Sequence, residues 1–266
     1  MRARGTHLRH EVRGWGGQTA GMSAARRPQP LPPDLSRRLG IGDTRKQPPA
    51  WLRRTRGESR LPATAAVVVA IGLQLLLPAD LSVHPRLLLP GLEAVLLLAL
   101  LVVNPGRVES HHPAIRYGGL AMVALVSVAN ALSAVLLIDQ LLHGGAATAR
   151  AAGLLGAGGA VYGTNVIAFA LWYWETDRGG PAARAHALQV HPDLLFPQMA
   201  SPELAPDHWE TRFFDYLYLS FTNATAFSPT DTLPLTRWAK ALMMLQSAVA
   251  VVVVALVVAR AVNILG

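Results

Sequence analysis

From residue 61 onward the chain alternates long apolar runs with short polar breaks. Five runs stand out, at 61–77, 87–103, 117–142, 151–174 and 238–265. Each is filled with Ala, Val and Leu, none alternates with period two, and each reads as a helix that is apolar all round. A membrane crossing takes about 17–25 residues at 1.5 Å rise each. The first two runs are at the short limit and the other three are comfortable. A sixth segment, 213–227, begins aromatic and apolar and ends in hydroxyls, which suits a short or re-entrant helix. The expected fold is all-α: a polytopic helical membrane protein of about five spanning helices plus one short or re-entrant helix.

The polar breaks divide the chain into four parts. Residues 1–60 are rich in Arg, Pro and Gly, without apolar periodicity, and are expected to form a disordered basic cytoplasmic tail. Met22 begins a plausible shorter chain, and no h-region of a secretory signal is present. Residues 61–174 are a four-helix transmembrane region, and 175–212 a polar, acidic connecting loop. In that loop Leu194-Leu195-Phe196 is expected to dip into the membrane interface. Residues 213–266 hold the short helix and the final transmembrane helix. Leu171-Trp172-Tyr173-Trp174 reads as an aromatic belt at a membrane surface. Gly159 and Gly163, with Gly156 nearby, mark a face for close helix approach.

Charge adds orientation. Residues 1–60 carry 14 of the 24 Lys+Arg and four of the 16 Asp+Glu, a net of +10, and the remainder is −2. By the positive-inside rule the N-terminus is cytoplasmic in a plasma membrane, and 175–212 returns to that same side after four spans. The basic tail points to anionic lipid headgroups as a partner and not to nucleic acid. There is no cysteine, so disulfides, thiolate catalysis and Cys-based metal sites are excluded.

The chemistry concentrates at 215–231, DYLYLSFTNATAFSPTD. Asp215, Leu217, Tyr218, Ser220, Phe221, Thr225 and Asp231 match, without a gap, the pore helix and filter of two-helix potassium channels. The stretch 215–265 thus resembles a potassium-channel pore domain, with 238–265 in the place of the inner helix. The 175–266 stretch also resembles a family of small uncharacterised bacterial membrane proteins of actinobacterial type, a likeness that implies no activity. The channel resemblance implies a pore, in a homo-oligomer, lined by Thr225, Ser228, Thr230 and Asp231. Phe227-Ser228-Pro229-Thr230 stands where the channels have V-G-Y-G. Pro229 lacks the N–H, and Ser228 and Thr230 tolerate the filter's backbone angles badly, so the pore is not potassium-selective. Channel pore loops also enter from outside, whereas charge puts this segment on the cytoplasmic side. Ser228-Pro229-Thr230-Asp231 is equally a helix-capping signature, with Ser228 as the cap.

Four polar residues fall inside the apolar runs: Glu93, Asn130, Asn165 and Gln246. An ionisable group at membrane depth is a functional candidate, although Pro90-Gly91 would start the helix so that Glu93 sits in its first turn near water. Asn130 and Asn165 are placed to hydrogen-bond each other, and Gln246 and Asn223 to pair or face a polar cavity. Asp139 is expected to be solvated at a helix end. His111-His112 makes no metal site, since adjacent residues point apart, and no cofactor is expected. No nucleophile–base motif occurs, so an enzyme is not expected. Two functions stand: a channel-like, non-selective or cation-permeable pore, or a non-conducting membrane scaffold or partner-binding subunit.

Overall fold

The structure, a computed structural model, describes residues 48–104, 106–108, 112–225 and 231–265, the side chains of Ala147 and Leu265 excepted. Four apolar helices come first: α1 (Leu61–Leu76), α2 (Leu88–Val103), α3 (Pro113–His143) and α4 (Ala151–Thr176). Two short helices, α5 (Pro181–Ala185) and α6 (Pro197–Ala200), lead to α7 (Phe213–Thr225) and α8 (Arg237–Leu265). Two-residue strands β1 (Leu194–Leu195) and β2 (Leu233–Pro234) pair antiparallel, Leu194 opposite Pro234. Among the described residues the fold is otherwise helical, as the apolar runs predict. Proline in the first turn starts α1, α3, α5 and α6, where its missing N–H is no loss. The His112 ring caps α3 by accepting from Ala114 N at 3.3 Å.

Three helices are long and apolar enough to cross a membrane: α3, α4 and α8. Helices α1 and α2, at 16 residues each, are ~24 Å long against a hydrocarbon core of ~30 Å. The described helices carry exposed apolar side chains along their outer faces, such as Leu98, Val102, Val135, Val251 and Val258.

Helix α4 is the hub, packed against α1, α3, α7 and α8. Its first half is small and its second half aromatic, and the two halves organise separate cores. Leu154, Ala157 and Val161 pack with Leu137 of α3 and Val257 of α8. Phe169, Tyr173 and Trp174 pack with Trp51, Met122, Phe196, Phe213 and Tyr216. The close approach in the first half is at Gly158, where an added Cβ would lie 2.8 Å from Val257 Cγ2. Gly156 and Gly159, expected at that face, look into open space, and Gly163 instead meets Leu73 of α1 at 3.2 Å.

The loops segregate to the two ends of α4. Val108 N donates to Glu58 O at 3.1 Å, Thr55 N to Ala185 O at 2.8 Å and Leu235 N to Asp193 O at 2.8 Å. Residues 48–60, 106–108, 112, 177–212 and 231–236 are thereby gathered at its C-terminal end. Gln140 Nε2 donates to Asp80 O at 3.3 Å at the opposite end. Thus α1, α3 and α8 start where α4 ends, and α2 ends there.

Several expectations change. Residues 1–47, most of the expected tail, lie outside the described residues, while 48–60 belong to the folded body: Ala50 and Trp51 are buried, and Arg60 is buried against α2. Leu194 and Phe196 do not dip outward but sit in the protein's own core, held by the β1–β2 pairing. The aromatic belt is internal too. Leu171, Tyr173 and Trp174 are buried, because the connecting loop and α7 fold back over them.

Helix packing at Gly158 generates a stability test in detergent micelles. Gly158→Leu, which forces the stiff β-branched Val257 aside, is expected to cost about 1–3 kcal/mol and lower the melting temperature. Gly159→Leu should leave that temperature unchanged or raise it, since nothing opposes the side chain. Equal effects at both positions would refute the Gly158 contact.

Candidate functional site

Two polar assemblies and one crevice surround α4. The first assembly is a buried charge cluster at its C-terminal end. The turn Asp177-Arg178-Gly179-Gly180 reverses the chain there, with φ of 48° at Arg178, 78° at Gly179 and 94° at Gly180. These are left-handed angles that favour glycine. At Gly180 space also forbids a side chain, because a Cβ would lie 2.8 Å from Glu175 O and against the Arg116 guanidinium. Arg178 adopts the angle without being glycine because both its ends are held. Its N–H donates to Asp193 Oδ2 at 2.8 Å and its Nη1 to Trp51 O at 2.8 Å.

Asp177, fully buried, accepts from the N–H groups of Asp193 at 3.1 Å and Leu194 at 3.2 Å, and from the Tyr216 hydroxyl at 2.6 Å. Arg184 donates to the carbonyls of Trp174 at 2.7 Å and Asp177 at 2.9 Å, pairs with Glu58 at 3.5 Å, and lies 4.9 Å from the Tyr216 ring centre. Glu58 also accepts from Phe213 N at 2.9 Å and from the Trp174 indole. Burial pushes the Glu58 carboxyl above its usual 4.5, with Arg184 opposing. Burial alone would lower Arg184, but the oxygens of Tyr216, Glu58, Asp177 and Glu175 hold it raised. Asp193 accepts from the Trp238 indole at 3.0 Å, which ties the start of α8 to the same end.

The second assembly is the segment from α7 to α8. Phe213 and Leu235 are both pinned to the C-terminal end of α4, through Glu58 and Asp193. Between them α7 runs alongside α4, and Ser220 Oγ donates to Val166 O at 2.6 Å. Val166 lies nine residues before Glu175, about 13 Å along the axis. The segment therefore descends beside α4 and comes back to the end it left. Tyr173 donates to Gln246 Oε1 at 2.7 Å and Asn223 to that same oxygen at 2.9 Å. Gln246 Nε2 donates to Ser220 Oγ at 2.6 Å and Ser220 O at 2.9 Å. One glutamine so joins α4, α7 and α8.

Of the four expected pore-lining residues, Thr225 and Asp231 are described. Thr225 donates back to Thr222 O at 2.7 Å within its own helix. Asp231 is exposed and accepts from Tyr218 at 3.4 Å. Ser228 and Thr230 lie outside the described residues, as does His111. Asp231 is not helical and α8 begins only at Arg237, so Asp231 does not stand in the first turn of α8; the Ser228 part of that capping signature lies outside the described residues. Glu93 is not near water: it is fully buried and takes two bonds from Gln74 Nε2, at 2.9 and 3.1 Å. Asp139 is exposed and pairs with His143 at 3.1 Å.

Asn130 and Asn165 do not bond each other. Asn130 Oδ1 and Asn165 Nδ2 are both buried without a hydrogen-bond partner. Both residues line a crevice of about 600 Å³ between α3, α4 and α8, whose other walls are almost wholly apolar. Sequence reasoning singled out Gln246 and both asparagines but missed Asp177, Arg184, Glu58 and Tyr216. Their one signal was charge directly after an aromatic run at 171–178, which also fits a membrane-surface belt.

Removing one member of the cluster exposes the arrangement. Tyr216→Phe leaves a buried carboxylate oxygen short of a donor and is expected to cost about 1–3 kcal/mol. Arg184→Met strands Glu58 and should cost about 3–5 kcal/mol, with little recovery in Arg184→Lys, whose ammonium lacks the fork. A carboxyl raised in the folded state supplies stability that is complete below the unfolded value of 4.5 and is lost as pH rises through the folded value. Arg184→Met should deepen that loss, read as a fall in melting temperature between acidic and neutral pH larger than in the wild type. Comparison with protein-family models, curated proteins and solved structures returns no match for this chain.

Proposed function

We propose that the protein is a plasma-membrane protein of five helical spans and one re-entrant helix, and that it acts as a non-conducting scaffold or partner-binding subunit. The observation that carries this reading is where the polar groups of α7 go. Ser220, Thr222, Asn223 and Thr225 are all hydrogen-bonded within the chain, on α4, α7 or α8. A conducting path needs polar groups free to replace an ion's water. Here Ser220 and Asn223 lock the descending helix to α4 and α8, while Thr222 and Thr225 bond back into α7 itself.

Several features support the membrane setting. Three helices have the length and hydropathy, and the outer faces are apolar where a soluble protein would be charged. Helices α1 and α2 cross with flanking residues snorkelling, as exposed Arg86 is placed to do beyond one end. Arg53, Arg54, Arg56, Arg107 and Arg116 lie at the end where α4 finishes, against Arg86 and Arg150 at the opposite end. That bias supports a cytoplasmic N-terminus and a cytoplasmic entrance of α7.

A second reading has a specific observation behind it. Phe214, Tyr218 and Phe221 are 73%, 51% and 54% exposed and form one row on α7. With exposed Asp231 nearby, that row suits a neighbouring copy, and a cation-permeable pore that is not potassium-selective would then lie on the axis of a homo-oligomer.

Flux in liposomes separates the two. Purified protein is expected to give no cation leak above empty vesicles at any voltage. A leak that falls several-fold in Asp231→Asn would replace the scaffold reading with the oligomeric pore. Topology has its own check, since the chain has no native cysteine. A single cysteine at Leu204, 84% exposed, should react with an impermeant maleimide only after cells are permeabilised. Labelling of intact cells would invert the proposed orientation.

A further inference from the structure

The chain entering α1 and the chain leaving α2 meet in a short antiparallel pairing, Ser59 opposite Arg107. Arg60 N donates to Gly106 O at 2.9 Å and Val108 N to Glu58 O at 3.1 Å. The bonds flank Ser59 and Arg107 instead of joining them. In an antiparallel ladder that is the closer kind of pair, with Cα atoms about 4.5 Å apart and both side chains on one face. The two faces of the pairing have opposite fates. Arg60 and Val108 are buried, and Glu58 is paired with Arg184. Ser59 and Arg107 are exposed. Both outward side chains have donors to spare. Ser59 Oγ accepts from Leu61 N at 3.3 Å, and its own proton has no acceptor among the described residues. Arg107 Nη1 donates to Gly57 O at 2.8 Å, which holds the guanidinium and spends only part of its donors. Among the described residues no carboxylate pairs with Arg107, or with exposed Arg56 next to Gly57.

We propose that Ser59 and Arg107 bind the phosphate of an anionic phospholipid, whose acyl chains lie on the apolar ends of α1 and α2. Leu61 at the start of α1, and Val102 and Val103 at the end of α2, are 71%, 80% and 66% exposed. The pair therefore stands directly beyond an apolar surface. Both helices are shorter than the hydrocarbon core, so in the membrane reading the residues flanking them are drawn to the level of the headgroups. A phosphodiester presents charged oxygens to a guanidinium and a hydroxyl side by side. Arg56 adds charge that favours an anionic headgroup over a zwitterionic one. A soluble phosphate would meet the same donors but leave the apolar residues uncovered, so a lipid is the ligand this surface fits.

The inference rests on the membrane-embedded reading but not on whether α7 conducts. The full chain, stripped of lipid in detergent, would be offered phosphatidylglycerol and phosphatidylcholine with identical acyl chains, and the retained lipid counted by native mass spectrometry. Phosphatidylglycerol is expected to be retained about tenfold more strongly, the value of about one charge-assisted hydrogen bond. Arg107→Gln should remove that preference. Ser59→Asp keeps the test independent of folding, because its carboxylate can still accept from Leu61 N while it faces Arg107 and repels phosphate. The preference should vanish there with the melting temperature retained. Arg54→Gln, which removes an exposed charge outside the pair, should leave the preference in place. Excess glycerol phosphate should not displace the lipid. A preference that survives Arg107→Gln and Ser59→Asp, or an equal loss in Arg54→Gln, overturns the proposal. Displacement by glycerol phosphate also overturns it, because the ligand is then a soluble phosphate. Embedding is read separately: a chain that stays monodisperse without detergent overturns the membrane reading itself, whereas one that needs detergent and shows no lipid preference overturns only the site.

Discussion

Asp177 has no exposed surface, and its carboxylate takes two backbone N–H groups and a tyrosine hydroxyl from segments far apart in the chain. A buried carboxylate is tolerated only when its lone pairs are met, so these partners are mutually dependent. The strand that supplies the N–H groups pairs with the segment leading into α8. The tyrosine lies on α7, and Arg184, stacked over that tyrosine, also holds the polypeptide before α1 through Glu58. Losing one contact leaves charge stranded in the interior and does more than remove a single bond. The left-handed turn after Asp177 is the geometric condition for all of this. It turns the chain back over the end of α4, so that the loop can cover it.

That arrangement explains the division of α4 into a small-residue half and an aromatic half. Near its C-terminus the helix is enclosed by loop, α7 and the start of α8, and large side chains fill the enclosed volume. Farther along, only helices surround it, and Gly158 lets α8 approach through Val257. A helix descending only part-way needs this asymmetry. It must end against something that satisfies its polar groups, and Gln246 of α8 does so by serving Ser220, Asn223 and Tyr173 together.

The helices were legible in the sequence because each is a long apolar run bounded by Pro, Gly or charge, and the observed bounds fall within a few residues of those runs. The short helix at 213 was legible for the same reason, as was the likelihood of a Gln246–Asn223 contact. The charge cluster was not. Its members are spread from Glu58 to Trp238 and become neighbours only once the chain folds over α4. Local pattern misled where burial came from tertiary structure. Trp172 to Trp174 resembled a surface belt, and Leu194 to Phe196 an interfacial loop, since an aromatic or apolar residue beside charge looks the same whether lipid or protein covers it. Asn130 and Asn165 were legible as polar residues within apolar helices, but that each leaves an amide atom unpaired instead of bonding the other depends on a helix register that no spacing encodes.

The contrast between the polar sites narrows what the molecule is built to do. Around α7 the chain meets its own demands, with a glutamine oxygen shared by two donors and its nitrogen by two acceptors. Between α1 and α2 it does so again, with Gln74 on Glu93. Both assemblies are closed, and closed networks rigidify. The crevice between α3, α4 and α8 differs from both: Asn130 Oδ1 and Asn165 Nδ2 beside it are buried without a partner, and its walls are largely apolar. In the proposed reading, a frame whose α7 polar groups are met within the chain suits a scaffold better than passage of an ion. Conduction would demand the opposite: unmet polar groups strung along an axis, and an element free to move beside them.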